Sequence, residues 1–129
     1  MADRKTPTSW STRPWSRFNK SDYKTAEQFC RACIIDLNPK LRPNQPKVKR
    51  LCFLPYKEPD GTPNVNGLLA TAGGRGLMRI RKPEGLSNTE WAAVRRAAAR
   101  KIIRLYREIG RTAPETIFRI AGMKRPKRK

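Results

Sequence analysis

The clearest hydrophobic pattern in the chain begins at Trp91, after which apolar residues recur every three or four positions, the spacing of one α-helical face. Ser87 and Glu90 form the capping-box pattern with which helices begin, because each side chain can bind the other residue's backbone N–H. Gly110 follows the last apolar position, where helices commonly end in the left-handed conformation. The pattern predicts a long amphipathic helix over residues 88–109.

A shorter apolar segment follows this helix. Residues 112–115 repeat the capping-box pattern and Gly122 again marks an end, so we expect a short helix from about residue 113 to 121. Two helices separated by a break permit a helix–turn–helix, whose second helix would present polar residues to base edges. The second helix is instead rich in apolar residues: Ile117, Phe118 and Ile120. This composition favours a packing helix.

The first half of the chain contains shorter patterns. Residues 22–37 place apolar positions on one helical face and predict a helix: Tyr23, Ala26, Phe29, Cys30, Cys33, Ile34 and Leu37. Residues 48–56 predict a strand. The apolar runs 68–72 and 77–82 are joined through glycines, which predicts a β-hairpin whose second arm presents Arg79 and Arg81 as a basic face.

These elements predict one α+β domain over residues 21–122. Its small antiparallel sheet, a strand plus a β-hairpin, is packed by the N-terminal helix and the long C-terminal helix. Residues 1–20 show neither the helical nor the strand period of apolar residues and predict a flexible basic and aromatic arm. Residues 123–129 are predicted to form a basic tail. The order helix–strand–strand–strand–helix over about residues 21–109 resembles that of double-stranded-RNA-binding domains. This resemblance of order slightly favours RNA over DNA as the partner and assigns no site residues.

The net charge of the chain is the strongest indication of its partner. The 129 residues include 30 Lys and Arg against 10 Asp and Glu, which is a formal net charge of +20. Such an excess repels itself in a compact domain unless a polyanion neutralises it, and nucleic acid is the usual polyanion. A charged surface that serves only solubility, or one that is attracted to anionic lipid, is the weaker alternative. No apolar run reaches the length of a membrane span, so we expect no membrane partner.

Arginines lie opposite the apolar face of the predicted long helix. They repeat at i,i+4, where like charges repel, and only Glu108 offsets them. Guanidinium groups bind phosphates in a bidentate manner, so a helix face that costs stability in this way indicates a phosphate-binding surface. The predicted nucleic-acid-binding residues are this row, the hairpin arginines and the tail: Arg96, Arg100, Arg104, Arg107, Arg111, Arg75, Arg79, Arg81, Lys124, Arg125, Lys127 and Arg128.

Aromatic residues are interleaved with cations in the N-terminal arm. Trp10, Trp15 and Phe18 alternate with Arg13 and Arg17. Aromatic rings among cations can stack on unpaired bases. They can equally dock the arm on its own domain or on a neighbouring subunit, and the sequence leaves these alternatives open.

The chain lacks the usual residues of catalytic and metal sites. It has no histidine, its carboxylates are scattered through different predicted elements, and we expect no catalytic residues, no cofactor and no metal. The three cysteines, Cys30, Cys33 and Cys52, are expected to be small buried core residues, since a metal site would need a carboxylate such as Asp36 as a further ligand. An odd cysteine count favours an intracellular reducing compartment, cytoplasm or nucleus, or the inside of a virion.

Together these features predict a nucleic-acid-binding protein that is not an enzyme and that acts mainly through phosphate-backbone contacts. A structural or packaging component of a virion, nucleoprotein or ribosome-like particle is favoured, because basic segments lie at both ends and few residues are free to read bases. The alternatives are a regulatory DNA- or RNA-binding protein with a preferred site and, less favoured, a small nucleic-acid enzyme. The sequence leaves DNA versus RNA and assembly into a homo-oligomer open.

Overall fold

The computed structural model describes residues 9–74 and 76–126. The helices and strands follow one another in this order: α1 Ala26–Arg31, β1 Cys33–Asp36, α2 Asn38–Leu41, β2 Cys52–Pro55, α3 Val65–Ala72, α4 Asn88–Glu108 and α5 Glu115–Ala121. Short 3-10 turns lie at Trp15–Arg17, Lys20–Asp22, Lys49–Leu51 and Leu77–Arg79. The fold is α+β with a long C-terminal helix, as the sequence predicts.

The two strands pair in antiparallel fashion, with Ile35 opposite Phe53 and Asp36 opposite Cys52. Helices α3 and α4 pack against this sheet, and α5 folds back along α4. One hydrophobic core joins these elements. Its most deeply buried side chains come from α3, the 3-10 turn at Leu77, α4 with the residue that follows it, and α5: Leu68, Leu77, Ile102, Ile109 and Ile117.

The predicted capping box and end of α4 are confirmed. The backbone N–H of Glu90 donates to the Ser87 hydroxyl at 3.1 Å, and that of Ser87 donates to the Glu90 carboxylate at 2.8 Å. Gly110 adopts a positive φ of 73° after the last turn. The predicted apolar stripe is buried or half-buried, and the buried face is wider than predicted because Ala99, Ile103 and Tyr106 join it.

Helix α5 also forms, with Gly122 at a φ of 72° after its last residue, but its predicted capping box is wrong. Pro114 is the N-cap and no side chain caps the helix, because the chain is still extended at Pro114 and Thr112 lies two residues before it. Ile117 and Phe118 are buried, so α5 is a packing helix.

The predicted helix over residues 22–37 is wrong in its second half. Helix α1 ends at Arg31, and Cys33–Asp36 forms β1. Residues 32–35 are buried consecutively, as expected for a strand covered on both faces, and the β-branched pair Ile34 and Ile35 favours extended backbone. The helical spacing of apolar residues was satisfied by chance, because a continuous apolar run matches both periods.

The predicted β-hairpin over residues 68–82 is also wrong. Residues 65–72 form α3, which begins at Asn64, whose side chain accepts from the backbone N–H of Gly67 at 2.8 Å. Asn64 therefore acts as a helix N-cap rather than as a turn residue. Arg79 ends a 3-10 turn, so Arg79 and Arg81 do not share a strand face. The sheet of the described chain has two strands, and the three-strand order behind the resemblance to double-stranded-RNA-binding domains is not present.

The described part of the predicted N-terminal arm packs on the domain. Trp10 is buried with its ring 6.2 Å from that of Tyr56. The backbone of Ser11 bonds on both sides, donating to Pro63 at 2.8 Å and accepting from Val65 at 2.9 Å. Trp10 therefore docks on the chain's own domain, whereas Trp15 and Phe18 stay partly exposed.

Cys30 and Cys52 form a disulfide that joins the end of α1 to the start of β2. The buried Asn38 side chain lies beside it, with Nδ2 at 3.4 Å and 3.3 Å from the two sulfurs and 3.1 Å from the Val48 carbonyl oxygen. The cysteines are buried as predicted, but two of them are not free thiols. A disulfide does not fit a reducing compartment, so that part of the predicted location is not supported.

We expect the disulfide to stabilise the fold by about 2–4 kcal/mol, because the sequence separation of 22 residues restricts the unfolded chain. Urea unfolding of the wild type with and without reductant measures this difference. A Cys30→Ala/Cys52→Ala variant should be insensitive to reductant, whereas Cys33→Ala should keep the wild-type response. Labelling of all three cysteines by iodoacetamide in unreduced, denatured protein would contradict the disulfide.

Gly76 is required by a close backbone approach. A Cβ at this position would lie 2.1 Å from the Thr71 carbonyl oxygen in the last turn of α3. We expect Gly76→Ala to destabilise the domain by about 2 kcal/mol or more. Gly74 is the matched control, since a Cβ there meets no atom within 4 Å, and Gly74→Ala should change stability by less than about 0.5 kcal/mol. Equal unfolding midpoints for the two variants would show that the loop does not pack in this way.

Candidate nucleic-acid interface

The four arginines predicted on the long helix form one exposed row. Arg96, Arg100, Arg104 and Arg107 lie within an arc of about 80° on α4, roughly opposite the buried Ile102 and Ile109, and the row is about 16 Å long. The buried face of α4 determines this exposure, because a helix that buries one side must present the other to solvent.

Few of the cations in the described part of the chain pair with a carboxylate. Six of the 30 Lys and Arg residues lie outside the described ranges: Arg4, Lys5, Arg75, Lys127, Arg128 and Lys129. Of the remaining 24, two pair with a carboxylate, namely Arg13 with Glu58 and Lys47 with Asp36. Neither pair involves α4. Over the described residues, the arginine row therefore carries its charge without an ion-pair partner.

The structure brings the tail and α5 next to this row. The Arg100 Nε donates to the Ala121 carbonyl at the end of α5, 3.1 Å away, and the Arg125 Nε donates to the Ala113 carbonyl at 3.0 Å. Lys124 and Arg111 are exposed nearby in the chain. Two of the predicted binding residues thus also hold the α4–α5 unit together, a structural role that sequence spacing does not reveal.

The remaining predicted residues have a different setting. Arg79 and Arg81 are exposed, in a turn that packs on α3 and α4 rather than in a strand, and the Arg79 Nε donates to the Gly74 carbonyl at 3.1 Å. The predictions for Arg75, Lys127 and Arg128 concern positions outside the described residues.

A cationic groove lies beside the arginine row of α4, and the sequence did not predict it. It has a volume of about 530 Å³ between α4, β1 and α2, and its apolar lining is interrupted by three cations, Lys40, Lys101 and Arg104, and by one acidic residue, Asp36. Burial, followed by the charges of Lys57 and Arg104, lowers the pKa of Lys101. The ammonium groups of Lys57 and Lys101 lie 5.7 Å and 5.9 Å from the Tyr56 ring centroid. The only signal in the sequence was the position of Lys101 at the edge of the arginine face.

The potential ligand atoms of Cys30, Asp36 and Cys52 lie within 4.8 Å of one another. The two sulfurs are bonded to each other, and the Asp36 carboxylate accepts from Lys47 and Asn38. Partial burial opposes ionisation of Asp36, but these hydrogen bonds outweigh it and lower its pKa. This polar cluster therefore braces the disulfide and the loop between β1 and β2.

Cys33 is a buried free thiol. Burial, and next the charge of Asp36, raise its pKa to about 12. The thiol is therefore protonated at neutral pH, which removes the thiolate that a cysteine nucleophile requires.

Comparison with known proteins finds no significant match: no protein-family model, no curated protein and no solved structure matches this chain. None of the helices in residues 9–74 and 76–126 combines the length and apolar composition that crossing a lipid bilayer demands.

The contact between Arg100 and α5 separates structural from surface arginines. We expect Arg100→Ala to lower the free energy of unfolding by about 1 kcal/mol, since the Ala121 carbonyl loses its donor. Arg96→Ala removes the same charge from the same row and should change stability by less than about 0.5 kcal/mol. Chemical denaturation of both variants at one salt concentration makes the comparison. If the two variants were equally stable, the Arg100 contact would make no measurable contribution to the free energy of unfolding.

Proposed function

We propose that this protein binds nucleic acid through the phosphate backbone, with the exposed arginine face of α4 as the centre of the interface. One observation carries the proposal: Arg96, Arg104 and Arg107 are held together on a rigid helix without carboxylate partners among the described residues. Stacked like charges cost stability in the free protein. A polyanion would relieve this repulsion and release its condensed counterions.

The dimensions of the row support a backbone ligand. Phosphates along one strand of a duplex are spaced about 3.4 Å apart along the axis, so a row about 16 Å long spans several of them. Arginine can hold a phosphate through two parallel N–H donors, which a lysine cannot. The groove that contains Lys40 and Lys101 begins at Arg104 and widens this cationic surface toward α2.

The packing of α5 supports binding without base-specific reading. A helix–turn–helix requires a second helix whose exposed side chains reach the major groove. In α5 the apolar Ile117 and Phe118 are buried against α4, which leaves Glu115 and Arg119 exposed. We therefore favour a structural or packaging component of a nucleoprotein particle over a regulatory binding protein. The Cys30–Cys52 disulfide is compatible with a particle that persists outside a reducing compartment, such as a virion.

The salt dependence of binding tests the interface. We expect Arg96→Ala with Arg104→Ala to make the negative slope of log K against log salt shallower by about 1.8, because each lost phosphate contact removes about 0.9 from its magnitude. The loss should be uniform across sequences, and titrations of fluorescently labelled DNA and RNA at several salt concentrations measure it.

The matched control removes two exposed cations from α1 and its approach, Lys24→Ala with Arg31→Ala. Net charge falls equally in both variants, so a general charge effect would lower both slopes alike. Identical slopes for the two variants would contradict α4 as the interface, and failure of the wild type to bind DNA or RNA at low salt would refute the function itself.

A further inference from the structure

Aromatic side chains line a groove along the outer edge of β2. It consists of two adjoining depressions of about 280 Å³ and 260 Å³ that share four lining residues: Trp15, Phe53, Leu54 and Pro55. None of the residues that line them belongs to α4. The groove is therefore built from different elements than the arginine row.

The walls of this aromatic groove are partly exposed rings on a rigid floor. Trp15, Phe18 and Phe53 are each partly exposed, and the first two contact each other with ring centroids 5.6 Å apart. Tyr23 and Phe29 form the buried floor, in an edge-to-face contact at 5.1 Å. In contrast, the other two tryptophans of the chain, Trp10 and Trp91, are each 8 % exposed and belong to the core.

Two features show that the groove is held in shape by its surroundings. A Cβ on Gly67 would lie 2.9 Å from the Trp15 ring, so the glycine in the first turn of α3 gives this ring room to pack. Leu54 has a φ of 65° in the middle of the groove. A bulky residue in this conformation is strained, and such strain persists only where the surrounding structure imposes it.

Cations flank both depressions. Lys20 lines one of them, with its ammonium 5.5 Å from the Phe29 ring centroid, and the exposed Arg17 lies in the same turn as Trp15. Ile80 lines the other depression, between the exposed Arg79 and Arg81. Aromatic walls with one lining cation and further exposed cations next to them in the chain match a strand whose bases are free and whose phosphates lie outside the groove.

We propose that this groove binds the unpaired bases of a single-stranded nucleic acid by stacking, with Trp15 and Phe18 as the principal stacking side chains. The inference rests on the proposed function and names its substrate class. In a duplex the faces of the bases are covered by their neighbours, so the groove distinguishes single strands, whereas the arginine face of α4 accepts either form. Charge complementarity favours this occupant over a second copy of the chain, which carries the same excess of cations.

The test compares an oligothymidine of about 20 nucleotides with a duplex of equal length at one salt concentration. Trp15→Leu with Phe18→Leu keeps apolar packing but removes the ring faces. We expect it to weaken single-strand binding about tenfold or more, or about 1.4 kcal/mol, and duplex binding less than about twofold. Trp15→Phe keeps a ring and should retain most of the affinity for the single strand. Arg96→Ala/Arg104→Ala should weaken the binding of both the single strand and the duplex.

The outcomes separate this inference from the proposed function. Unchanged single-strand binding by the leucine variant overturns the inference, while the arginine variant still reports on the function. Equal losses on both ligands overturn it as well. If the wild type bound neither ligand, both proposals would fall.

A second measurement uses the wild type alone, in case the leucine variant does not fold. An oligonucleotide that contains 5-iodouracil should crosslink, on irradiation, to the peptide that contains Trp15 or Phe18. Crosslinks confined to α4 would overturn the inference. Sedimentation gives a further outcome that would overturn the inference: a dimeric wild type and a monomeric leucine variant that bind single strands equally well. The groove would then be a self-association surface.

Discussion

The burial of one face of α4 is the interaction on which the rest of this structure depends. Ile102, Ile103, Tyr106 and Ile109 are removed from water against the sheet, α3 and α5. Each such side chain contributes roughly 1.5–3 kcal/mol when fully buried. Because helix geometry is rigid, the same burial decides which side chains point outward, and the arginine face is therefore set by the core.

A small core must support an unusually large self-repulsion. The described chain carries 24 basic side chains, of which two are paired with carboxylates. The structure meets this cost with local braces in its loops. The disulfide and Asn38 hold the connection between the strands, and the buried Glu58 accepts from Asn64 at 2.8 Å where the N-terminal segment meets α3. These braces act on the long connections, where conformational entropy opposes folding most.

The buried amide of Asn64 links folding to the aromatic groove. It caps α3 through Gly67 and donates to the Arg13 carbonyl at 3.1 Å, which brings the N-terminal segment onto the helix. Trp15 then packs on Gly67, where a side chain on the helix would exclude it. The wall of the groove thus depends on a polar contact between residues that are far apart in the chain.

The sequence by itself determined the α+β class, the limits of α4, the end of α5 and the exposure of the arginine row. These features depend on local pattern: the 3.6-residue period from Trp91 onward, the Ser87 cap and the glycines at 110 and 122 are read within one element. Only the tertiary structure decided whether each ambiguous apolar run forms a helix or a strand. Residues 33–36 form a strand because β2 is there to pair with them, and residues 65–72 form a helix that packs on β2 and α4. The pairing of Cys30 with Cys52, the packing of Trp15 and the position of Lys101 in its groove depend on contacts between distant segments, and no local pattern encodes which partner a side chain will meet.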